Sequence, residues 1–331
     1  MIHLKILLFM FLVQGSLAGE PPDEEQVRYV MGTTATVQAW APDSEMAANA
    51  VEAAYAAFDR VDSLMSTWRD DSVISSLNRS EPGQWVEVGP EVCHLLHKAK
   101  TVAIASQGAF DPTILPLVRL WGFRGGQVAL PDSAALAVTR LTVDHHLLEV
   151  DLATGRARLL EPGMAVDLGG IAKGYALDIA AEAMRRTGAT GGVIDLGGNI
   201  LTFGQGPHPK VGIVDPTRED RLLTGVALAD ASVATSGQYE RYLTIQGRIC
   251  GHILDPRTGW PVSPGVSATV VAEKAVLADA LATAAVVLGV DRGLALLEMI
   301  PGVEGLMTVQ DGHGELGLRM TSGFVSLPVV P

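Results

Sequence analysis

Val166-Asp167-Leu168-Gly169-Gly170-Ile171-Ala172-Lys173-Gly174-Tyr175 reads as a short apolar strand, a glycine pair and the first turn of a helix that carries a lysine. Such a turn aims backbone N–H groups and a positive charge at one spot, which suits a phosphate. The spacing matches neither the dinucleotide-fold glycine fingerprint nor a Walker loop, and close packing of strand on helix also asks for glycine. Beyond this helix, expected over 170–187, the pattern changes. Strands are expected at 192–196, 200–203, 210–214, 225–229, 241–246, 248–254 and 267–272, separated by glycine and polar turns. Neighbouring strands broken by few helices favour an α+β fold over a doubly wound parallel sheet.

The chain then enters an alanine- and leucine-rich run, 274–288, closed by Gly289 as a helix stop. Asp279 and Thr283 stand four residues apart in it, so they share one face. A carboxylate and a hydroxyl side by side are hard oxygen ligands, better suited to Mg²⁺ than to zinc. The bland alternative is a polar edge on a buried helix, with Thr283 bonding back to a carbonyl. The neighbours of Asp279 are almost all Ala, Val and Leu, however, and a buried carboxylate needs a partner.

Upstream, 28–40 is expected as one strand containing Met31-Gly32-Thr33-Thr34. A helix from about Ser44 carries Val51, Ala54, Tyr55, Phe58, Val61 and Met65 on one face. A polar loop with Trp68, Ser72, Ser75 and Asn78 follows. Pro90 opens a second helix, striped by Val92, Leu95, Leu96, Ala99 and Val102. Asp111-Pro112 marks a turn, 116–126 a loop, 132–140 a short helix and 142–160 a hairpin turning at Ala153-Thr154-Gly155.

The first residues read as an export signal. Lys5 gives positive charge, Ile6 to Val13 is an unbroken apolar run, and Ser16-Leu17-Ala18 is a small-residue cleavage site. The run is too short to span a bilayer. Residues 1–18 are therefore expected as a signal peptide and 19–331 as a single domain of two lobes. Glu20, not cysteine, follows Leu17-Ala18-Gly19, so no lipid anchor is expected. The expected product is an exported protein, periplasmic or envelope-associated and soluble once cleaved. A net charge of −13 argues against nucleic acid as a partner. Cys93 and Cys250 lack metal-site spacing; they are open to one disulfide or to buried free thiols.

Other segments have two readings each. His252, in an expected strand before Asp255-Pro256-Arg257-Thr258-Gly259, is a structural histidine or a general base. Trp68, Trp121 and Phe123 anchor loops or stack on a flat ring. Ser236-Gly237-Gln238-Tyr239-Glu240-Arg241 is a glycine turn entering a strand, explained by turn chemistry, although its hydroxyl and Arg241 could also touch a ligand. Thr187-Gly188-Ala189-Thr190 is an acceptor for covalent flavin attachment or, the favoured reading, a helix end capped by Gly188.

These segments together resemble the ApbE family, the FAD:protein FMN transferases. The resemblance runs through Met31-Gly32-Thr33, Ser66-Thr67-Trp68, Gly108-Ala109-Phe110-Asp111-Pro112-Thr113, Trp121-Gly122-Phe123, Asp167 to Tyr175, Asp195-Leu196-Gly197-Gly198-Asn199, Ser236-Gly237, His252 to Gly259 and Asp279 with Thr283. It implies a two-lobed α+β fold of mostly antiparallel sheets flanked by helices, with FAD in the cleft between lobes. It further implies FAD contacts from Met31, Trp68, Ala109, Phe110, Asp111, Asp167, Lys173, His252 and Ile253. Mg²⁺ would be held by the Gly170 carbonyl, Asp279 and Thr283. The implied reaction moves FMN from FAD to a threonine or serine hydroxyl of an acceptor protein, an envelope electron-transfer subunit, releasing AMP; His252 and Asp279 would be catalytic. Two alternatives stay open: a Mg²⁺-dependent FAD pyrophosphatase and a non-catalytic flavin-binding protein of the envelope. Position 68 is often tyrosine in this family; tryptophan keeps a stacking face and loses the hydroxyl.

Overall fold

The computed structural model describes residues 21–125, 128–206, 209–216, 218–238, 242–263, 265–310 and 316–326. The expected export signal, and Tyr239 to Arg241 of the glycine-turn segment, lie outside these. The frame is an eight-stranded sheet of Glu24–Val30, Thr33–Trp40, Gly191–Leu196, Asn199–Gly204, Ser232–Gly237, Ser267–Ala272, Val303–Gln310 and Leu316–Met320. The strands cross the sheet in chain order, and every neighbouring pair is antiparallel. This is the expected α+β architecture.

Side chains alternate across a strand, so the sheet presents two apolar faces. Ile194, Leu201, Ala234 and Val270 face the main core, where helices Ser44–Met65, Ala172–Arg186 and Ala275–Leu288 pack. Ile200, Val233 and Leu306 face the hairpin of Lys210–Asp215 and Arg218–Ala227. A third cluster around Trp121, Leu136 and Leu243 joins helices Leu115–Leu120 and Ser133–Arg140 to the hairpin of Tyr242–Ile245 and Arg248–Gly251.

The long helices follow the sequence pattern. All six apolar residues predicted for one face of Ser44–Met65 are buried, and Asp43 caps it by accepting the Met46 N–H at 2.8 Å. Helix Ala275–Leu288 is apolar on nearly every side, so it lies inside the core. It meets helix Ala172–Arg186 at Gly174, where a Cβ would come within 2.6 Å of the Ala275 carbonyl carbon. Asp178 of the first helix accepts the Ala275 and Val276 N–H groups of the second at 3.0 and 3.1 Å. One helix thus caps the other, and the pair is locked in register. Burial raises the Asp178 pKa above the ordinary carboxylate value despite these two bonds.

Several local expectations change. The single strand expected over 28–40 is a hairpin: Met31 and Gly32 both take positive φ, 50° and 76°, as a two-residue type I′ turn requires. The polar loop holds a helix, Val73–Asn78, capped by Ser72. The loop expected over 116–126 begins as helix Leu115–Leu120, with Pro116 in its first turn. Ser232–Gly237 is a central strand, not a turn; its small residues let helix Ala275–Leu288 lie close against it. Val166-Asp167-Leu168 is not a strand, because its polar main chain bonds to the Asn78 side chain and the Pro112 carbonyl. His252 follows strand Arg248–Gly251 at a bend. Cys93 and Cys250 are both buried and form no disulfide, and burial raises the Cys93 thiol pKa. Gly188 has φ 98°, as a helix stop needs.

Candidate functional site

A cavity of about 950 Å³ opens between the first hairpin, the start of helix Ala172–Arg186, the middle of helix Ala275–Leu288 and strand Lys210–Asp215. All twelve residues that the family resemblance assigns to FAD or Mg²⁺ reach its wall. Met31 and Trp68 come from the first third of the chain, with Ala109, Phe110 and Asp111 beside them. Asp167, Gly170 and Lys173 come from the glycine turn, His252 and Ile253 from the bend, and Asp279 and Thr283 from the buried helix.

At one end, Asp279 is 4% exposed. Its Oδ2 accepts the Gly174 N–H at 2.9 Å, capping a helix that has no side-chain cap of its own. One turn on, Thr283 Oγ1 lies 3.2 Å from Ser236 Oγ. A Cβ on Gly170 would stand 3.4 Å from Thr283 Oγ1, so the Gly170 main chain adjoins the same spot. A buried carboxylate, two hydroxyls and a main-chain segment form a hard-oxygen donor set. No ion pair to Asp279 forms among the described residues. The group is therefore matched to a divalent cation of the magnesium class.

Toward the opening, Asp167 is clamped on three sides. Its N–H donates to the Pro112 carbonyl at 2.8 Å, and its Oδ1 accepts the Gly169 N–H at 2.8 Å. Arg124 Nη2 donates to Oδ2 at 2.9 Å. The same guanidinium lies 4.0 Å from the centroid of the Trp68 ring, which is 67% exposed. A flat aromatic face backed by a cation is a stacking platform. The three aromatics nominated from sequence therefore divide. Trp68 offers its face, Phe123 lines the wall, and Trp121 is fully buried, donating Nε1–H to the Gly259 carbonyl at 2.8 Å as a loop anchor.

Asp111 reaches the wall, yet its carboxylate is turned to the protein. Oδ1 accepts the Thr113 N–H and hydroxyl at 2.9 and 2.6 Å, and Oδ2 accepts the His145 N–H and Nδ1–H at 3.0 and 2.9 Å. Its service to a ligand is to shape the Ala109–Phe110 main chain. His252 is half-buried, and the segment after it is fixed by Gln238, whose Nε2 donates to the Ile253 and Val262 carbonyls at 2.9 and 3.0 Å.

Among the wall residues that were not nominated, Arg124 and Asp195 contact nominated ones. The signal for Asp195 is a repeated tetrapeptide. Asp-Leu-Gly-Gly occurs at 167–170 and again at 195–198, and each aspartate accepts a glycine N–H through Oδ1. Burial pushes the Asp195 carboxyl up to about 6, against the opposing pull of the Gly198 N–H and the Lys173 ammonium. Arg124 follows Trp121-Gly122-Phe123 directly, a cation beside loop aromatics.

Comparison with known proteins identifies the family. Residues 31–307 match the model of the ApbE family. The chain is 34% identical to the FAD:protein FMN transferase of Treponema pallidum over 97% of this chain and 93% of that one. It is 32% identical to the FAD:protein FMN transferase of Vibrio cholerae over 81% and 82%. Among solved structures, the apo flavinyl transferase ApbE of Pseudomonas stutzeri superposes with a TM-score of 0.80 at 27% identity, over 93% of this chain and 97% of that one. The ApbE protein of Thermotoga maritima superposes with a TM-score of 0.79 at 30% identity, over 90% and 97%. This chain belongs to the ApbE family.

Proposed function

We propose that the chain is a transferase that moves FMN from FAD to a threonine or serine hydroxyl of an acceptor protein. The observation that carries this reading is the convergence of all twelve nominated residues on one cavity. Its volume lies at the upper end of the range of about 300–1,000 Å³ typical of ligand pockets, as a dinucleotide requires.

In this reading Trp68 stacks on the isoalloxazine ring, with Met31, Phe110 and Ile253 as its apolar surroundings. Lys173 and the Gly170 N–H hold the pyrophosphate, while the Gly169 N–H stays on Asp167. Asp279, Thr283 and the Gly170 carbonyl are the ligands for Mg²⁺, which when bound neutralises pyrophosphate charge and makes phosphorus more electrophilic. The acceptor hydroxyl is a weak nucleophile and needs a base. His252, at a bend on the wall, takes its proton. The hydroxyl oxygen bonds to the FMN phosphorus, the phosphoanhydride bond to AMP breaks, and AMP leaves with that electron pair. The stacked ring and the held pyrophosphate keep the three atoms in line.

We further propose that residues 1–18 direct export and are removed. Residues 19–331 then act as one two-lobed flavin transferase domain in the periplasm or envelope, where the acceptor is an electron-transfer subunit. The test is incubation of the chain with FAD, Mg²⁺ and a flavin-acceptor domain, read by intact mass of the acceptor. A gain of FMN minus water that disappears in Asp279→Ala supports the assignment. Free AMP and FMN with an unmodified acceptor would make the protein a pyrophosphatase; unconsumed FAD would leave a binding protein.

A further inference from the structure

Behind the cavity wall, Asp111 grips His145 through both its N–H and its Nδ1, at 3.0 and 2.9 Å. Asp111 accepts four hydrogen bonds in all, so Nδ1 carries the proton and Nε2 carries the lone pair. His145 is only 7% exposed, and its Nε2 has no hydrogen-bond partner among the described residues. A buried, unpaired imidazole nitrogen is costly unless something binds it. Carboxylate on one ring nitrogen and a bare second nitrogen is also the arrangement that orients a metal-ligating histidine.

Two further donors stand beside it. Asp144 caps the short 3₁₀ turn His145–Leu147 through one oxygen, accepting the His146 N–H at 2.8 Å, and its other oxygen has no such task. The His146 ring lies 4.2 Å from that of His145, centroid to centroid, and is exposed. Ligand atoms of Asp144, His145 and His146 all lie within 4.8 Å of one another. We propose that these three residues form a second metal site, for a divalent ion of the zinc class, separate from the oxygen site at Asp279.

Two imidazoles and one carboxylate select zinc or a neighbouring transition metal over Mg²⁺. Zinc ligand distances of about 2.0–2.2 Å require the donors to draw in by about an ångström. His145 is fixed by Asp111 and half-buried Asp144 keeps one oxygen on the turn, so its other oxygen and the exposed His146 ring close on His145. Lys100 faces Asp111 and Asp144 while its ammonium bonds the Leu148 carbonyl. Burial lowers its pKa from the ordinary lysine value, against the opposing pull of Glu149, Asp144 and Asp111. Three protein ligands leave a fourth position for water. An ion here would brace Asp111 and, through it, the Ala109–Asp111 stretch of the cavity wall.

The test is titration of the chelator-stripped chain with Co²⁺ in excess Mg²⁺, followed by visible absorption and competition with Zn²⁺. The expected result is one Co²⁺ per chain with strong ligand-field bands, displaced by Zn²⁺. Affinity should fall at least ten-fold in His146→Ala and in Asp144→Asn, and stay unchanged in Asp279→Ala and in His97→Ala, an exposed histidine of helix Gly89–Ala105. His146 is exposed, so its replacement leaves the fold intact, and thermal unfolding of each variant checks this. Absence of the bands in the wild-type chain overturns the proposal, as does equal affinity in His146→Ala and Asp144→Asn.

Discussion

Gly174→Ala separates local preference from tertiary constraint, because the two predict opposite signs. In an exposed helix interior this change stabilises by about 1 kcal/mol, since glycine loses more backbone freedom on folding than alanine. Here the added methyl meets main chain. It would stand 2.6 Å from the Ala275 carbonyl carbon, nearer still to its oxygen, and 2.8 Å from Asp279 Cβ. No side-chain rotation relieves a backbone contact, so the two helices must part by close to an ångström. Overpacking of this kind costs about 1–3 kcal/mol, and backbone rigidity puts this position at the upper end. After the propensity gain, the net loss is about 2 kcal/mol, or roughly 3 °C in Tm for a chain of this size, at about 2.1 cal/mol/K of unfolding entropy per residue. The same separation stretches the Gly174 N–H to Asp279 bond and moves the carboxylate away from Thr283. Differential scanning calorimetry should therefore show a lower Tm, and FMN transfer should need more Mg²⁺. A Tm equal to or above wild type would refute the close helix contact on which the cation site depends.

Asp195 gives a pH test. Its folded-state carboxyl titrates near 6, above the ordinary value of 3.8, so its protonated form favours folding. That contribution is complete below about pH 3.8 and is lost as pH rises through 6; Tm of Asp195→Asn minus Tm of wild type should grow from pH 4 to pH 7, and a flat difference would remove Asp195 from the argument. Thr283→Val keeps shape and deletes one oxygen donor. Mg²⁺ affinity should weaken by a factor of about ten, near 1.4 kcal/mol, with the fold unchanged by circular dichroism; unaltered affinity excludes the hydroxyl as a ligand. Trp68→Ala should raise KM for FAD roughly ten-fold with kcat nearly constant, from a stacking contribution of about 0.5–1.5 kcal/mol, and Trp68→Phe should restore most of it. A fall in kcat alone would assign Trp68 a different role.

What the sequence revealed depended on how far each signal reached along the chain. The faces of helices Ser44–Met65 and Ala275–Leu288 repeat every turn, so their burial was readable from spacing. The pairing of Asp279 with Thr283 was legible for the same reason. Strand Ser232–Gly237 was hidden because its residues are small, and small residues were required by a helix that is distant in sequence. The Met31–Gly32 turn was hidden because a non-glycine residue takes positive φ there. Arg124 and Asp195 depend on partners far away in the chain, Asp167 and Lys173, which only the fold brings near. The Asp111–His145 pair likewise spans two segments that no local pattern connects.

The chain-order arrangement of the eight strands leaves a seam with consequences for folding. Thr33–Trp40 must find Gly191–Leu196 across everything in 41–190, whereas the hairpins at either side of the seam close over only a few residues. Loop length itself adds little, about 0.6 kcal/mol per doubling. The delay comes from order: a non-local pairing is rewarded only after the intervening helices have collapsed. The cavity straddles this seam, with Met31 on one side and Asp195 on the other. Competence to hold a dinucleotide is therefore the last property a refolding chain acquires. In pulsed hydrogen exchange, protection along Thr33–Trp40 facing the seam should trail that of the hairpin Gly191–Gly204. A dinucleotide added at the start of refolding then serves as a latch on a finished sheet and not as a template for it.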